Sequence, residues 1–279
     1  ILNMYDKTMC SPISTKVSDT KHSCLNKKLL TKIGNILGIK SKDSIKLLHD
    51  EIGDAVKEIS NCKKELCWIS IDKIINKLLN KELNEFKEMF KPIMPKSWYK
   101  NNKEWLNTND IENVLKQYDK MDKTFYFYGA MPSDYDTDSV CDIYKLCKIN
   151  LNTHINNGIK KIGIVFNTDK SDQPGKHWVA LYIDLVGINS GFPSIYFFDS
   201  VGNEPQKNIK KIINKLRKNK KLNYYYNDIP HQKEDTECGI YCLHFLTNMI
   251  NKGNFNKYIK NIKSDNYMHK YRNFFFNKI

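Results

Sequence analysis

Three side chains of this chain have the types and the order needed for nucleophilic acyl chemistry: His177, Asp199 and Cys238. A cysteine thiolate attacks a carbonyl, an imidazole takes and returns the proton, and a carboxylate fixes the tautomer and orientation of the ring. Cys238 sits in Thr236-Glu237-Cys238-Gly239-Ile240-Tyr241-Cys242-Leu243, with polar residues before it and an apolar helical run after it. That places the sulfur at a helix N-terminus, where unpaired N–H groups and the helix dipole favour a thiolate. Gly239 lets a substrate backbone come close to the sulfur, while Cys242, one turn further on, reads as a core thiol. Gln232 stands six residues before Cys238. Its amide could join the backbone N–H of Cys238 in holding a tetrahedral oxyanion. His231 is a rival base, less favoured because it lies on a polar loop. Taken singly, none of these residues is specific: a helix often starts near a Cys, and a strand often ends at Asp.

The elements that must position them are legible as patterns. Runs rich in β-branched and aromatic residues, bounded by Gly, Pro, Asn or Asp, predict strands over 124–129, 162–167, 177–185, 195–199 and 222–228. His177 opens the third of these and Asp199 closes the fourth. Helical spacing predicts helices over 111–118, 206–218, where Ile209, Ile212, Ile213 and Leu216 share a face, and 239–250. The turn and cap signal Trp105-Leu106-Asn107-Thr108-Asn109-Asp110 precedes the first of them. This order fits an α+β fold, a central sheet packed by helices. Residues 1–95 read differently. Apolar residues at three- and four-residue steps predict helices over 29–37, 45–59 and 71–90, and Pro92 and Pro95 then break the pattern. The expected organisation is a helical arm over 1–95 and a catalytic domain over 96–279.

The 279 residues carry a formal net charge of +14. Such a balance invites nucleic acid as a partner, but the lysines are scattered and Arg occurs only at Arg217 and Arg272. Lys, Asn, Ile, Tyr and Phe are all abundant, as an A/T-rich coding sequence would produce. Solvated lysine faces are therefore the first reading, with non-specific nucleic-acid binding the alternative. No run has the ~18 apolar residues of a membrane span, and residues 1–6 lack a signal peptide's charged start and apolar stretch. A soluble protein of a reducing, intracellular compartment is expected. None of the eight cysteines forms a C-x-x-C pair, and no His stands at zinc-finger spacing from them. Reduced thiols are expected, with neither metal nor cofactor.

The combination of these features resembles the SUMO/ubiquitin-like-protein-specific proteases of the adenovirus-protease clan. It rests on His-Trp on a strand, Asp-Ser closing the next, and Gln six before Cys-Gly-Ile-Tyr. The resemblance implies a papain-like core, and it implies that Trp105 and Trp178 roof a narrow tunnel for Gly-Gly. A further likeness is to the polyprotein-processing proteases of African swine fever virus and its giant-virus relatives. It rests on Cys24-Leu25-Asn26-Lys27-Lys28, Asn167-Thr168-Asp169 with Gly175-Lys176-His177-Trp178-Val179-Ala180, and His231-Gln232 with Thr236-Glu237-Cys238-Gly239. It is strong over about 105–250 and weak before 95. That viral protease has Asn at the third triad position, whereas Asp199 stands here. The likeness implies cleavage after Gly-Gly in a viral structural polyprotein, in the host cytoplasm (the viral factory) and the virion. Deconjugation of SUMO or ubiquitin tails is the alternative. Acetyl transfer, which some bacterial effectors perform with the same triad, is a third reading for which no acetyl-CoA signal is seen. A basic scaffold without enzymatic activity is a fourth.

Overall fold

The structure is a computed structural model, and it describes residues 7–17, 21–40 and 42–278; the reading made of residues 1–6 lies outside these. The chain divides into two compact units. One holds the described residues up to Met94 together with those from Asn273 onward, and the other is Pro95–Arg272. The sequence reading placed 273–279 with the second unit. A buried side chain explains the difference: Asn277 Nδ2 donates to the carbonyls of Met9 and Lys91, and its backbone exchanges hydrogen bonds with Pro92 and Met94.

The first unit contains α1 (Pro12–Val17), α2 (Lys27–Leu37), α3 (Ile45–Ile59), α4 (Asp72–Ile75) and α5 (Asn80–Glu88). Asn26 and Ser44 cap α2 and α3, each accepting from a backbone N–H in the first turn. Leu30, Ile33, Leu48, Ile52, Val56, Trp68 and Phe86 make its core. The single helix expected over 71–90 is two. The Glu82 carboxylate accepts from the Leu79 N–H at 2.9 Å, a local bond that starts α5 afresh and competes with a continuous helix.

In the second unit, β1 (Phe125–Met131), β2 (Lys161–Asn167), β3 (Trp178–Asp184), β4 (Ser194–Phe198) and β5 (Asn223–Tyr226) form one sheet in that order. The outer pairs are parallel and the inner two antiparallel. Helices α6 (Thr108–Met121), α7 (Asp138–Tyr144), α8 (Leu151–Asn156), α9 (Lys207–Asn219), α10 (Cys238–Ile250), α11 (Phe255–Lys260) and α12 (Asp265–Phe275) complete it, so the fold is α+β as expected.

Strand alternation sorts the core into two faces. Ile162, Ile164, Leu181, Ile183, Ile195 and Phe197 pack with Ile209, Ile212, Ile213 and Leu216 of α9. On the other face α10 lies along β3 and α6 along β1, with Phe198 stacked on Phe245 at 4.9 Å. α10 is apolar nearly all round because it is buried nearly all round. Among the described residues no helix is long and apolar enough to cross a membrane.

The expectation that all eight cysteines are reduced does not hold. Cys10–Cys24, Cys62–Cys67 and Cys141–Cys147 are paired, with Cα separations of 5.1, 5.9 and 5.6 Å, inside the usual range for a disulfide. Cys238 and Cys242 are free thiols. The pairs join residues across turns and between elements, a proximity that spacing alone does not reveal.

Two glycines are needed for steric reasons. Gly129, at φ +126, sits where the β1–β2 register slips between Phe127 and Ala130, and a Cβ there would lie 2.7 Å from the Tyr144 ring. At Gly163 a Cβ would meet the Phe125 ring at 2.8 Å, and Phe125 is itself buried. Gly163→Ala is therefore expected to lower unfolding free energy by about 1–3 kcal/mol through overpacking. Urea denaturation measures this.

Candidate active site

Asp199, at the end of β4, and His177, just before β3, are brought together by the antiparallel pairing of the two strands. His177 Nε2 and Asp199 Oδ1 are 2.6 Å apart. Asp199 is almost wholly buried and His177 half-buried. The acid is held from both sides of its backbone: its N–H donates to Asn227 Oδ1 at 2.8 Å and its carbonyl accepts from Asn227 Nδ2 at 2.7 Å. The Val201 N–H donates to the same carboxylate oxygen, at 3.0 Å, that faces the imidazole. His177 is anchored through its own loop. Thr168 N–H donates to the His177 carbonyl at 2.8 Å, and Asn167 Oδ1 accepts from Asp169 and Lys176.

Cys238 begins α10 and is buried. Cys238 acts on the His177 imidazole through its hydrogen bonding and its charge. Burial alone would lower the basicity of His177. The hydrogen bonds and charges of Asp199 and Cys238 outweigh burial and raise its pKa to about 10. A ring held protonated beside a thiol at a helix N-terminus has the makings of a thiolate–imidazolium pair. Burial pushes the Cys242 thiol far up, in keeping with a core position.

Gln232 is oriented by two contacts. Its Oε1 accepts from the buried Ser200 hydroxyl at 2.6 Å, and its Nε2 donates to the Glu234 carbonyl at 2.5 Å. The Ser200 carbonyl accepts the N–H groups of both His231 and Gln232 at 2.8 Å. His231 itself is buried, with Nε2 at 3.0 Å from the Ile259 carbonyl and its ring stacked on Tyr258. Burial lowers its pKa. It belongs to the packing behind the loop and not to the His177–Asp199 pair.

The capping box of α6, in which Asn107 and Asp110 exchange hydrogen bonds of 2.9 and 3.0 Å, fixes Leu106 in front of α10. A Cβ at Gly239 would lie 2.9 Å from Leu106 Cβ, so glycine permits this approach. Trp178 is buried and donates Nε1–H to the Leu106 carbonyl at 2.8 Å; Trp105 is 42% exposed. Both indoles line a cleft of about 470 Å³ together with Leu106, Val140, Ile143, Tyr144, Gln173 and Gly175. Among the described residues no group of three or more His, Cys, Asp and Glu side chains is disposed to hold a metal ion.

A sequence model of the family described as YopJ Serine/Threonine acetyltransferase matches residues 79–277, well over half of the chain. The chain belongs to that family. Among curated proteins it is similar to the putative thiol protease R355 of Acanthamoeba polyphaga mimivirus, with 37% identity over 179 residues. That alignment takes in 62% of this chain and 57% of the mimivirus protein, so the chain spans little more than half the length of that relative. It is also similar to a cysteine protease of African swine fever virus, with 27% identity over 297 residues and 99% of both chains covered. The crystal structure of the African swine fever virus pS273R protease matches 99% of this chain and 97% of its own, at 20% identity and a TM-score of 0.65. The chain thus has that protease fold, although the model of its family is described by acetyl transfer.

Sequence reasoning named His177, Asp199, Cys238, Gln232, Trp105, Trp178 and Gly239. It missed Ser200 and Asn227 as the groups that hold Gln232 and Asp199. Ser200 carried a signal, since Asp-Ser was noted as a pair; Asn227 carried none.

The raised pKa of His177 has a consequence for folding. In Cys238→Ala, where no thiol proton can move onto the ring, the folded chain binds, between the ordinary value of 6.5 and the value to which Asp199 raises it, a proton that the unfolded chain has released. Unfolding free energy must therefore fall as pH rises through that window, and the contribution is fully present only below 6.5. Adding Asp199→Asn to Cys238→Ala should flatten this slope, as chemical denaturation of both variants across that window will read.

Proposed function

We propose that the chain is an endopeptidase that hydrolyses the bond after Gly-Gly in a viral structural polyprotein during particle maturation, in the host cytoplasm and the virion. The observation that carries the proposal is the His177 ring set between Asp199 and Cys238 at the head of α10. The cleft beside it supports the Gly-Gly requirement. Trp105, Trp178 and Leu106 line that cleft, and Leu106 in turn presses on Gly239 at the head of α10, so a strand laid between the two indoles is led towards Cys238.

In this reading the Cys238 thiolate attacks the scissile carbonyl. The Cys238 N–H and Gln232 Nε2–H, the latter aimed by Ser200, hold the oxyanion. The amine leaves with the proton of His177, and the thioester is released by a water that gives its proton back to His177. Trp105 and Trp178 flank the entering strand.

A deconjugating isopeptidase would use the same groups on the tail of a SUMO- or ubiquitin-like protein. The relative from another African swine fever virus isolate, named as a SUMO-1 cysteine protease, favours including it. Nucleic acid is a secondary ligand on the lysine-rich outer face of α9. Two of its lysines, Lys210 and Lys211, are already paired with Glu204 and Asp136, which limits the charge on offer.

Cleavage of a fluorogenic Gly-Gly peptide and of a SUMO precursor, under conditions that keep Cys238 reduced, tests the reading. Turnover of the peptide should vanish in Cys238→Ala. It should fall by roughly 10²–10³ in kcat in Gln232→Ala, with KM little changed. Turnover of the SUMO precursor by wild type would extend the activity to deconjugation. Acetyl transfer from acetyl-CoA to Ser or Thr without any peptide turnover would replace the proposal.

A further inference from the structure

The residue before the nucleophile is an acid. Glu237 occupies the N-cap of α10 at φ −103° and ψ 9°, but its side chain does not cap the helix. It is 2% exposed. Arg272 Nε donates to Glu237 Oε2 at 2.8 Å and approaches Oε1 at 3.2 Å, and His269 Nδ1 lies 3.0 Å from Oε1. His269 and Arg272 are one turn apart on α12. Arg272 is as buried as its partner, and its guanidinium lies over the Trp98 ring at 4.6 Å. Its Nη1 and Nη2 find no acceptor among the described residues. The hydrogen-bonding of this buried cation is thus directed at Glu237.

A buried carboxylate one residue from a thiolate works against it, because like charges at short range disfavour each other. Both would also draw on the positive end of the α10 dipole. An arginine, always charged and more weakly hydrated than a lysine, carries the compensating charge into the interior more readily. We infer that Glu237, Arg272 and His269 form a clamp that seats the turn before Cys238 and cancels the Glu237 charge at the sulfur, making Glu237 and Arg272 positioning residues for the nucleophile. This rests on the reading of Cys238 as the nucleophile. The C-terminal helix thereby becomes part of the apparatus that sets thiolate reactivity.

Other charges face the clamp. Asp110 of α6 lies within the field of Arg272, and Glu104 acts on Asp110 in turn. On the loop before α10, Glu234 pairs with Lys103 at 2.6 Å, and Lys103 also feels Glu237 and Asp235. Asp265 accepts the N–H groups of Lys233 and Glu234, and Tyr241 feels both Asp265 and Glu237. The His177–Asp199 pair lies beyond the sulfur. None of these changes identity in the variants below, so their fields are a common background.

The test is the pH dependence of Cys238 alkylation by iodoacetamide, located by peptide mass, beside kcat/KM on the Gly-Gly peptide. Arg272→Met should move the acid limb up by at least about half a pH unit, roughly a threefold slower reaction on the limb. Glu237→Gln, which leaves the cation uncompensated, should move it down by a similar amount. The double variant should return it towards wild type, and Arg272→Lys should recover part of the loss. A purely structural role would lower the thermal midpoint in both single variants and shift neither limb; that result, or two shifts of the same sign, overturns the proposal. Should Arg272→Met fail to fold, Glu237→Gln decides: without a downward shift the proposal is wrong. Because alkylation needs no substrate, opposed shifts without peptide turnover would keep the clamp and remove only the endopeptidase reading.

Discussion

The site turns on one buried contact, the imidazole of His177 against the carboxylate of Asp199. Neither group would hold its charge easily in the interior alone. Paired, and with a thiol on the other side of the ring, the imidazole is driven to a pKa of about 10 instead of below its ordinary value. The surrounding structure serves to keep this contact from relaxing. Antiparallel β3 and β4 set the two residues side by side. Asn227 fixes the acid, and Asn167 fixes the loop that carries the base. A charged group that is over-determined in this way loses little on reorganisation, which is where preorganised sites gain their catalytic advantage.

Cys238 is brought to the site by α10, whose first residue it is. That helix can be almost entirely apolar because the sheet, α6 and the C-terminal helices enclose it. Its N-terminus is the exception, where Cys238, Glu237 and the Gln232 loop meet. Glycine at 239 allows Leu106 to close over this end. Packing therefore requires glycine at this position, and any side chain there would press on Leu106.

How much of this was legible follows from the range of each interaction. The five strands and α10 could be read because alternation and helical spacing are local, and the order His, Asp, Gln, Cys could be read because it is linear. The break between α4 and α5 was missed, since a single N–H to carboxylate bond at Leu79 outweighs apolar spacing that continues through it. The Ser200 hydroxyl on Gln232 and Arg272 on Glu237 span 32 and 35 residues, and no pattern in the chain announces such pairs. The return of the C-terminus to the first unit depends on Asn277, one of many asparagines, and its role appears only when its partners Met9 and Lys91 are in place. The disulfides escaped for the same reason. The expectation of reduced thiols follows from the lack of a secretion signal, and spacing along the chain does not show the turns that bring the pairs together.

The central claim is that Cys238, activated by His177, is the atom that takes the acyl group. The most direct measurement is covalent labelling with a peptide whose Gly-Gly ends in an electrophile at the scissile carbonyl, followed by mass mapping. The account predicts one adduct, on Cys238 and not on Cys242, with labelling strongly slowed in folded His177→Ala. An adduct elsewhere, or labelling of Cys238 at an unchanged rate in His177→Ala, would contradict it.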